Sequence, residues 1–133
     1  MRTGDKAEIV YQVTHADTAK ALSFDPQDNF PSVLATARMV ALMELAAARV
    51  LKPQLQAGEL SVGIDVNVKH MAATAVDDTV TARAEYTGPQ GKLHGFNVYL
   101  YDSGGLAGEG THTRAIIDSS RLEDGAQKRA SKS

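Results

Sequence analysis

Apolar and polar residues alternate with period two through most of the second half of the chain. Leu60, Val62, Ile64, Val66 and Val68 interleave with Ser61, Gly63, Asp65, Asn67 and Lys69. Such alternation marks a strand with one face buried. Val80, Ala82, Ala84 and Tyr86 repeat it against Thr79, Thr81, Arg83 and Glu85. Leu93 to Tyr101 places Phe96, Val98 and Leu100 on one face, and Leu106 to Ile117 forms the last strand. Gly88-Pro89-Gln90-Gly91 and Ser103-Gly104-Gly105 read as the turns between them. In the first half only Ala7 to Val13 alternates, with Ile9, Tyr11 and Val13 together. A loop rich in Asp and Pro runs from Ala16 to Pro31. Val33 to Leu51 is then almost wholly apolar and long enough for a helix, with Ser32 as its expected cap and Pro53 as its stop.

One strand, one buried helix and four further strands predict an α+β architecture, an antiparallel sheet curled around that helix. A helix so apolar needs more cover than one sheet supplies, which predicts a homodimer or a higher even oligomer. The domain is expected to span 1–118. The tail 119–133 is polar, carries Arg121, Lys128, Arg129 and Lys132, and has only Leu122 as a large apolar residue. Composition predicts that it is disordered.

Composition narrows the function classes. The chain has 133 residues, enough for one core, and a formal net charge of -2, which argues against a nucleic-acid partner. It has no cysteine, so thiolate chemistry and disulfides are excluded. No apolar run approaches the ~20 residues of a membrane span. The start, Met1 to Lys6, lacks the apolar segment of a secretory signal, so the expected location is cytoplasmic.

Glu44 is the only acidic residue of the apolar helix. At about 100° per residue, Arg38, Arg49 and Lys52 share one stripe. Thr36 and Glu44 fall off that stripe and are expected to face the protein. A carboxylate in such surroundings costs free energy unless it is paired or needed. On the Leu60 strand, even-numbered parity turns His70 inward at the strand end. Glu44, Thr36 and an inward imidazole together suggest acid–base chemistry. The plainer possibilities are a buried structural pair for His70 and Glu44, and a helix cap for Thr36. Thr36 and Glu44 lie about 12 Å apart along a helix and cannot bond directly. His15, His94 and His112 share no metal-ligand spacing with one another or with His70, so no metal is expected. No Gly-rich phosphate loop is present.

Three blocks then resemble the fluoroacetyl-CoA thioesterase type of hotdog protein. They are Val33-Leu34-Ala35-Thr36-Ala37-Arg38-Met39-Val40-Ala41-Leu42-Met43-Glu44, Val62 to Thr74, and Gly108-Glu109-Gly110-Thr111-His112-Thr113-Arg114. The resemblance implies the hotdog fold and hydrolysis of a small acyl-CoA thioester to the free acid and CoA. It places the family's catalytic threonine, glutamate and histidine on Thr36, Glu44 and His70. It places a substrate-binding glycine on Gly63, an arginine near the thioester on Arg114, and the lid phenylalanine on Phe30. Coenzyme A enters as part of the substrate and no separate cofactor is implied. Two other functions fit such a fold: hydration or dehydration of an acyl thioester, and acyl-CoA binding without catalysis.

Overall fold

The computed structural model describes residues 1–132. Strands β1 (Lys6–Gln12), β2 (Glu59–His70), β3 (Thr79–Gln90), β4 (Leu93–Asp102) and β5 (Gly105–Asp118) form one antiparallel sheet in the order β1-β3-β4-β5-β2. Helix α1 (Thr36–Leu51) lies across one face of this sheet. Its Met39, Leu42, Met43, Ala46, Ala47, Val50 and Leu51 are buried against Val80, Ala82, Ala84 and Tyr86 of β3 and Phe96, Val98 and Leu100 of β4. Small residues on both sides let helix and sheet approach closely, and each large side chain so buried contributes roughly 1.5–3 kcal/mol. The α+β expectation holds. Among the described residues no helix is long and apolar enough to cross a membrane.

The helix starts at Thr36, three residues later than its apolar run suggests. Val33 and Leu34 are extended instead, bridged to Ala75 and Thr18. Leu34 and Ala35 are as buried as the helix core, so hydrophobicity carries no sign of the boundary. Ser32 does not cap α1. The N-cap is Ala35, which offers no side-chain acceptor to the first-turn amides. The stop at Leu51 agrees with the expected effect of Pro53, which sits in a short 3₁₀ turn, Lys52–Gln54.

Strand β2 is not strictly alternating. Its register against β5 shifts between Gly63 and Asp65, leaving Ile64 as the extra residue of a β-bulge. Gly63 opposes Arg114, whereas Val66 opposes His112 and His70 opposes Gly108. The helix-facing set is therefore odd-numbered before the bulge (Ser61, Gly63) and even-numbered after it (Val66, Val68, His70). The expected inward direction of His70 survives, but Leu60 and Val62 lie on the other face. The β3–β4 turn also differs: β3 continues through Gly88, Pro89 and Gln90, and the chain reverses at Gly91-Lys92. Pro89 is tolerated because β1 pairs only up to Glu85 on that side, so no ladder donor is missed.

The loop before α1 is anchored by Asp17, which is 2% exposed. Its Oδ2 accepts from the Thr14 amide at 2.7 Å, the Thr14 hydroxyl at 2.9 Å and the Tyr11 hydroxyl at 2.7 Å. Its Oδ1 lies 3.0 Å from Arg38 Nε on α1. The Asp17 carbonyl also accepts the Ala35 amide at 2.9 Å. One carboxylate thus ties β1, the loop and the helix start together. Burial alone raises its pKa, but the Thr14 amide, the Tyr11 and Thr14 hydroxyls and Arg38 together hold it below the ordinary carboxylate value. Its stabilisation is present above the unfolded pKa and is lost as pH falls through the lower folded one. Asp17→Asn keeps the volume and loses the charge, and should lower stability by about 2 kcal/mol. Denaturant melts of both proteins at pH 7 check this, and equal midpoints would remove Asp17 as an anchor.

The tail corrects its expectation. Ser119–Ala130 forms helix α2, with no buried residue. Composition counts apolar residues and so misses the terminus chemistry. Asp118 caps α2 by accepting the Arg121 amide, and Lys128 and Arg129 sit in the last turn, where they favour the helix dipole. Ser133 lies outside the described residues.

One flank of the molecule is left open. Strand β2 is at the sheet edge, and Gly63 through Asn67 are exposed, with Ile64 at 55% and Val66 at 40%. Beside it, α1 shows Ala37 and Leu45 to solvent and leaves Ala41 and Ala48 only half-buried.

Candidate active site

Thr36 is the first residue of α1 and His70 the last of β2. The structure brings them together, with Thr36 Oγ1 2.8 Å from His70 Nδ1. They sit in a cleft of about 360 Å³, walled by Ala19, Pro31, Val33, Leu34, Met71, Ala72 and Ala73. His70 is half-buried. Burial lowers its pKa from 6.5, partly opposed by the Ala72 backbone, so the imidazole is neutral at pH 7 and able to accept a proton. Its Nε2 is buried without a hydrogen-bond partner. A hydroxyl and a neutral imidazole at this distance are arranged as a nucleophile–base pair. Because Ala35 supplies no capping side chain, the positive end of α1 is available to a carbonyl oxygen in the same cleft.

Glu44 belongs to a second cluster. It is two turns further along α1, and its Oε1 accepts from Arg114 Nη1 at 3.3 Å. It faces the sheet, as expected, in reaching Arg114 and Gly63, but its side chain remains 39% exposed beside the open flank of β2. Thr36 is exposed as well. The cause is that α1 packs mainly on β3 and leaves the β2 edge largely uncovered.

Arg114 on β5 is 6% exposed and held from several sides. Its Nε donates to Ser61 Oγ at 2.9 Å and its Nη2 to Ser61 O at 2.8 Å. Its Nη1 lies 3.1 Å from His112 Nε2. Burial lowers its pKa and Glu44 opposes the shift. Gly63 sits directly against Glu44, and a methyl group built on it would run into Glu44 Oε1 and come within 3.2 Å of His112 Cε1. Its backbone φ is not in the left-handed region, so the glycine is there for space. Phe30, 52% exposed, lies on the loop next to the cleft-lining Pro31. Phe24, earlier in the same loop, is fully exposed.

Sequence reasoning missed Ser61 and His112. Strict even parity on β2 put Ser61 on the wrong face, and only the bulge, unmarked in composition, brings it to Arg114. Histidine spacing tests His112 only as a metal ligand. Its alternation with Arg114 on β5 was the available signal. A somewhat larger cleft of about 430 Å³ lies between the end of β5 and α2, but its lining of Ile116, Ile117, Asp118, Arg121 and Leu122 includes no member of either cluster. Among the described residues no group of three or more His, Cys, Asp or Glu is set to hold a metal.

A single antiparallel sheet over one long helix is the hotdog fold, which this chain shares with solved thioesterase structures. Residues 13–120 match the family model described as fluoroacetyl-CoA-specific thioesterase, and the chain belongs to that family. It is 37% identical over 119 residues to the fluoroacetyl-CoA thioesterase of Streptantibioticus cattleyicolor, covering 88% of this chain and 86% of that one. A solved structure of a fluoroacetyl-CoA thioesterase is 35% identical and superposes with a TM-score of 0.91 over 96% of each chain. A further crystal structure from that family holds fluoroacetate and CoA. A hot-dog-like protein from Thermanaerovibrio acidaminovorans shares the fold, at 22% identity and TM-score 0.82 over 97% of this chain and 93% of the other.

Proposed function

We propose that this protein hydrolyses a small acyl-CoA thioester in a site assembled from two subunits. The observation that carries the reaction is the 2.8 Å contact between Thr36 and a neutral His70 in an apolar cleft at the helix start. His70 Nδ1 takes a hydroxyl proton, from Thr36 itself or from a water that Thr36 holds. The oxygen attacks the thioester carbonyl, and the developing oxyanion is met by the first-turn amides of α1. The carbon–sulfur bond breaks, and the imidazolium returns the proton to the departing CoA thiolate. Where Thr36 is the attacking oxygen, the acyl-threonine ester left behind is then hydrolysed by a water that Glu44 orients or activates. Where water attacks first, Glu44 acts on that water, and in both routes Arg114 fixes the carboxylate.

Distance argues for two subunits. Thr36 and Glu44 are about 12 Å apart along α1. His70 and Gly63 are roughly 20 Å apart along β2. One thioester carbonyl cannot be reached from both within a chain. Strand β2 offers an exposed edge with Ile64 and Val66, beside the apolar stripe of α1. Antiparallel pairing of two such edges about a two-fold axis sets the start of one β2 against the end of the other. Glu44 and Gly63 then approach Thr36 and His70 of the partner subunit. This symmetry gives two sites per homodimer, and it covers the open flank.

Incubation with a panel of acyl-CoAs, with release of free thiol as the readout, tests the reaction. Turnover of short acyl groups that is lost in His70→Ala supports it. Binding without thiol release would instead make the protein a carrier. The pH profile follows from the depressed pKa of His70. The neutral ring is the active form, so kcat/KM should stay at its plateau down to about the ordinary histidine range and fall only below it. A profile that falls with a midpoint above pH 7 would contradict His70 as the base.

A further inference from the structure

His112 is buried in the sheet, its side chain 1% exposed, at the centre of the Glu44 cluster. Both ring nitrogens are engaged. Nδ1 lies 2.8 Å from the carbonyl of Asp65, just past the β2 bulge. Nε2 lies 3.1 Å from Arg114 Nη1. A guanidinium has only donors, so Nε2 must accept. The ring proton is therefore on Nδ1 and donates to Asp65. The imidazole is fixed as one tautomer and is uncharged. Burial, first, and the nearby Arg114 both oppose its protonation, against the Asp65 backbone, Glu44 and Asp65, which favour it.

We propose that His112 is a positioning residue, which holds Arg114, and through it Glu44, by presenting an unprotonated ring nitrogen to the guanidinium. The contacts with Ser61 fix Nε and Nη2 of Arg114. Without His112, Nη1 keeps only the 3.3 Å contact with Glu44, whose half-exposed side chain is free to swing. With it, the guanidinium is held on both edges by the frame of β2 and β5, and Oε1 of Glu44 has a fixed partner. A filler of this volume needs no polar atoms, and burying an imidazole costs free energy that an apolar ring avoids. The neighbouring ring of Phe96, tilted against it at 6.2 Å between ring centres, makes no demand for a histidine either. The polar nitrogens of His112 are accounted for only by what they hold.

The inference rests on the reading that Glu44 takes part in hydrolysis, and one set of variants separates the two. In His112→Asn the amide nitrogen stands where Nδ1 was and keeps the Asp65 bond, while the acceptor for Arg114 is gone. In His112→Gln the amide oxygen stands where Nε2 was and keeps that acceptor, while the Asp65 bond is gone. His112→Asn should lower kcat by about a hundredfold with little change in KM, the scale of an ~1 Å misplacement. His112→Gln should stay within a few-fold of the parent. Added to Glu44→Gln, the His112→Asn change should cost little more, because residues acting as a unit are not additive. Melting temperatures are recorded for every variant. Equal losses in the two His112 variants, losses that track melting temperature, or full additivity with Glu44→Gln would overturn the positioning role. Full activity in folded Glu44→Gln would overturn the reading beneath it instead. If His112→Asn does not fold, a His112→Gln protein that folds but loses kcat as Glu44→Gln does also ends the proposal.

Discussion

A mixture of His70→Ala and Glu44→Gln subunits should recover about a quarter of the parent thioesterase activity, although each variant alone is nearly inactive. Each single loss should be roughly two orders of magnitude or more, the usual contribution of a positioned acid–base group. The recovery follows from the symmetry. Random reassortment after unfolding and refolding makes half of the dimers mixed. In a mixed dimer, one site joins both substitutions and the other joins Glu44 to His70 of the partner subunit with both intact. Half of the dimers with one working site of two gives the quarter. If the site lay within one chain, every site would carry one substitution and mixing would restore nothing. Titrating the ratio of the two proteins and finding no rise above the sum of the parents would end the two-subunit site. The fold of each variant is monitored beside the activity, because His70→Ala removes the hydrogen-bond partner of Thr36 whereas Glu44→Gln leaves that pair intact.

The parts of this architecture that were readable from the chain are those set by periodicity. Val80 to Tyr86 and Phe96 to Leu100 alternate without interruption, and they form the buried centre of the sheet. What periodicity could not reveal is where the backbone departs from its own rhythm. The bulge at Ile64 reverses parity on β2, so Ser61 and Gly63 face the helix while Leu60 and Val62 do not. The start of α1 was hidden because Leu34 and Ala35 are buried as extended chain. Of the candidate residues, the family resemblance and parity led to Thr36 and His70, and these two are in contact. Glu44 was legible as an oddity of an apolar helix, but its partner on β5 was not, because no local spacing relates Glu44 to Arg114. The contact between them depends on how helix and sheet are stacked.

Gly63→Ala should reduce kcat/KM by about a hundredfold while leaving the protein folded. The added methyl points at the end of the Glu44 side chain and at the edge of His112. The carboxylate is partly exposed and can rotate away into the open flank, so the clash is relieved at small cost to the fold. That relief is what harms the site. A displaced Glu44 leaves Arg114 Nη1, and the carboxylate no longer stands where the proposed water is held. The expected signature is therefore a large fall in turnover with a melting temperature close to the parent's. Glycine at a strand position costs stability through backbone entropy, so the alanine offsets part of the strain in the melt. Shortening the obstructed side chain tests the direction of cause. In a Gly63→Ala/Glu44→Asp double variant the carboxylate is withdrawn by one methylene and the methyl has room, so the double should be no worse than Glu44→Asp alone. Parent-like turnover in folded Gly63→Ala would show that the close packing of Gly63 and Glu44 has no part in catalysis.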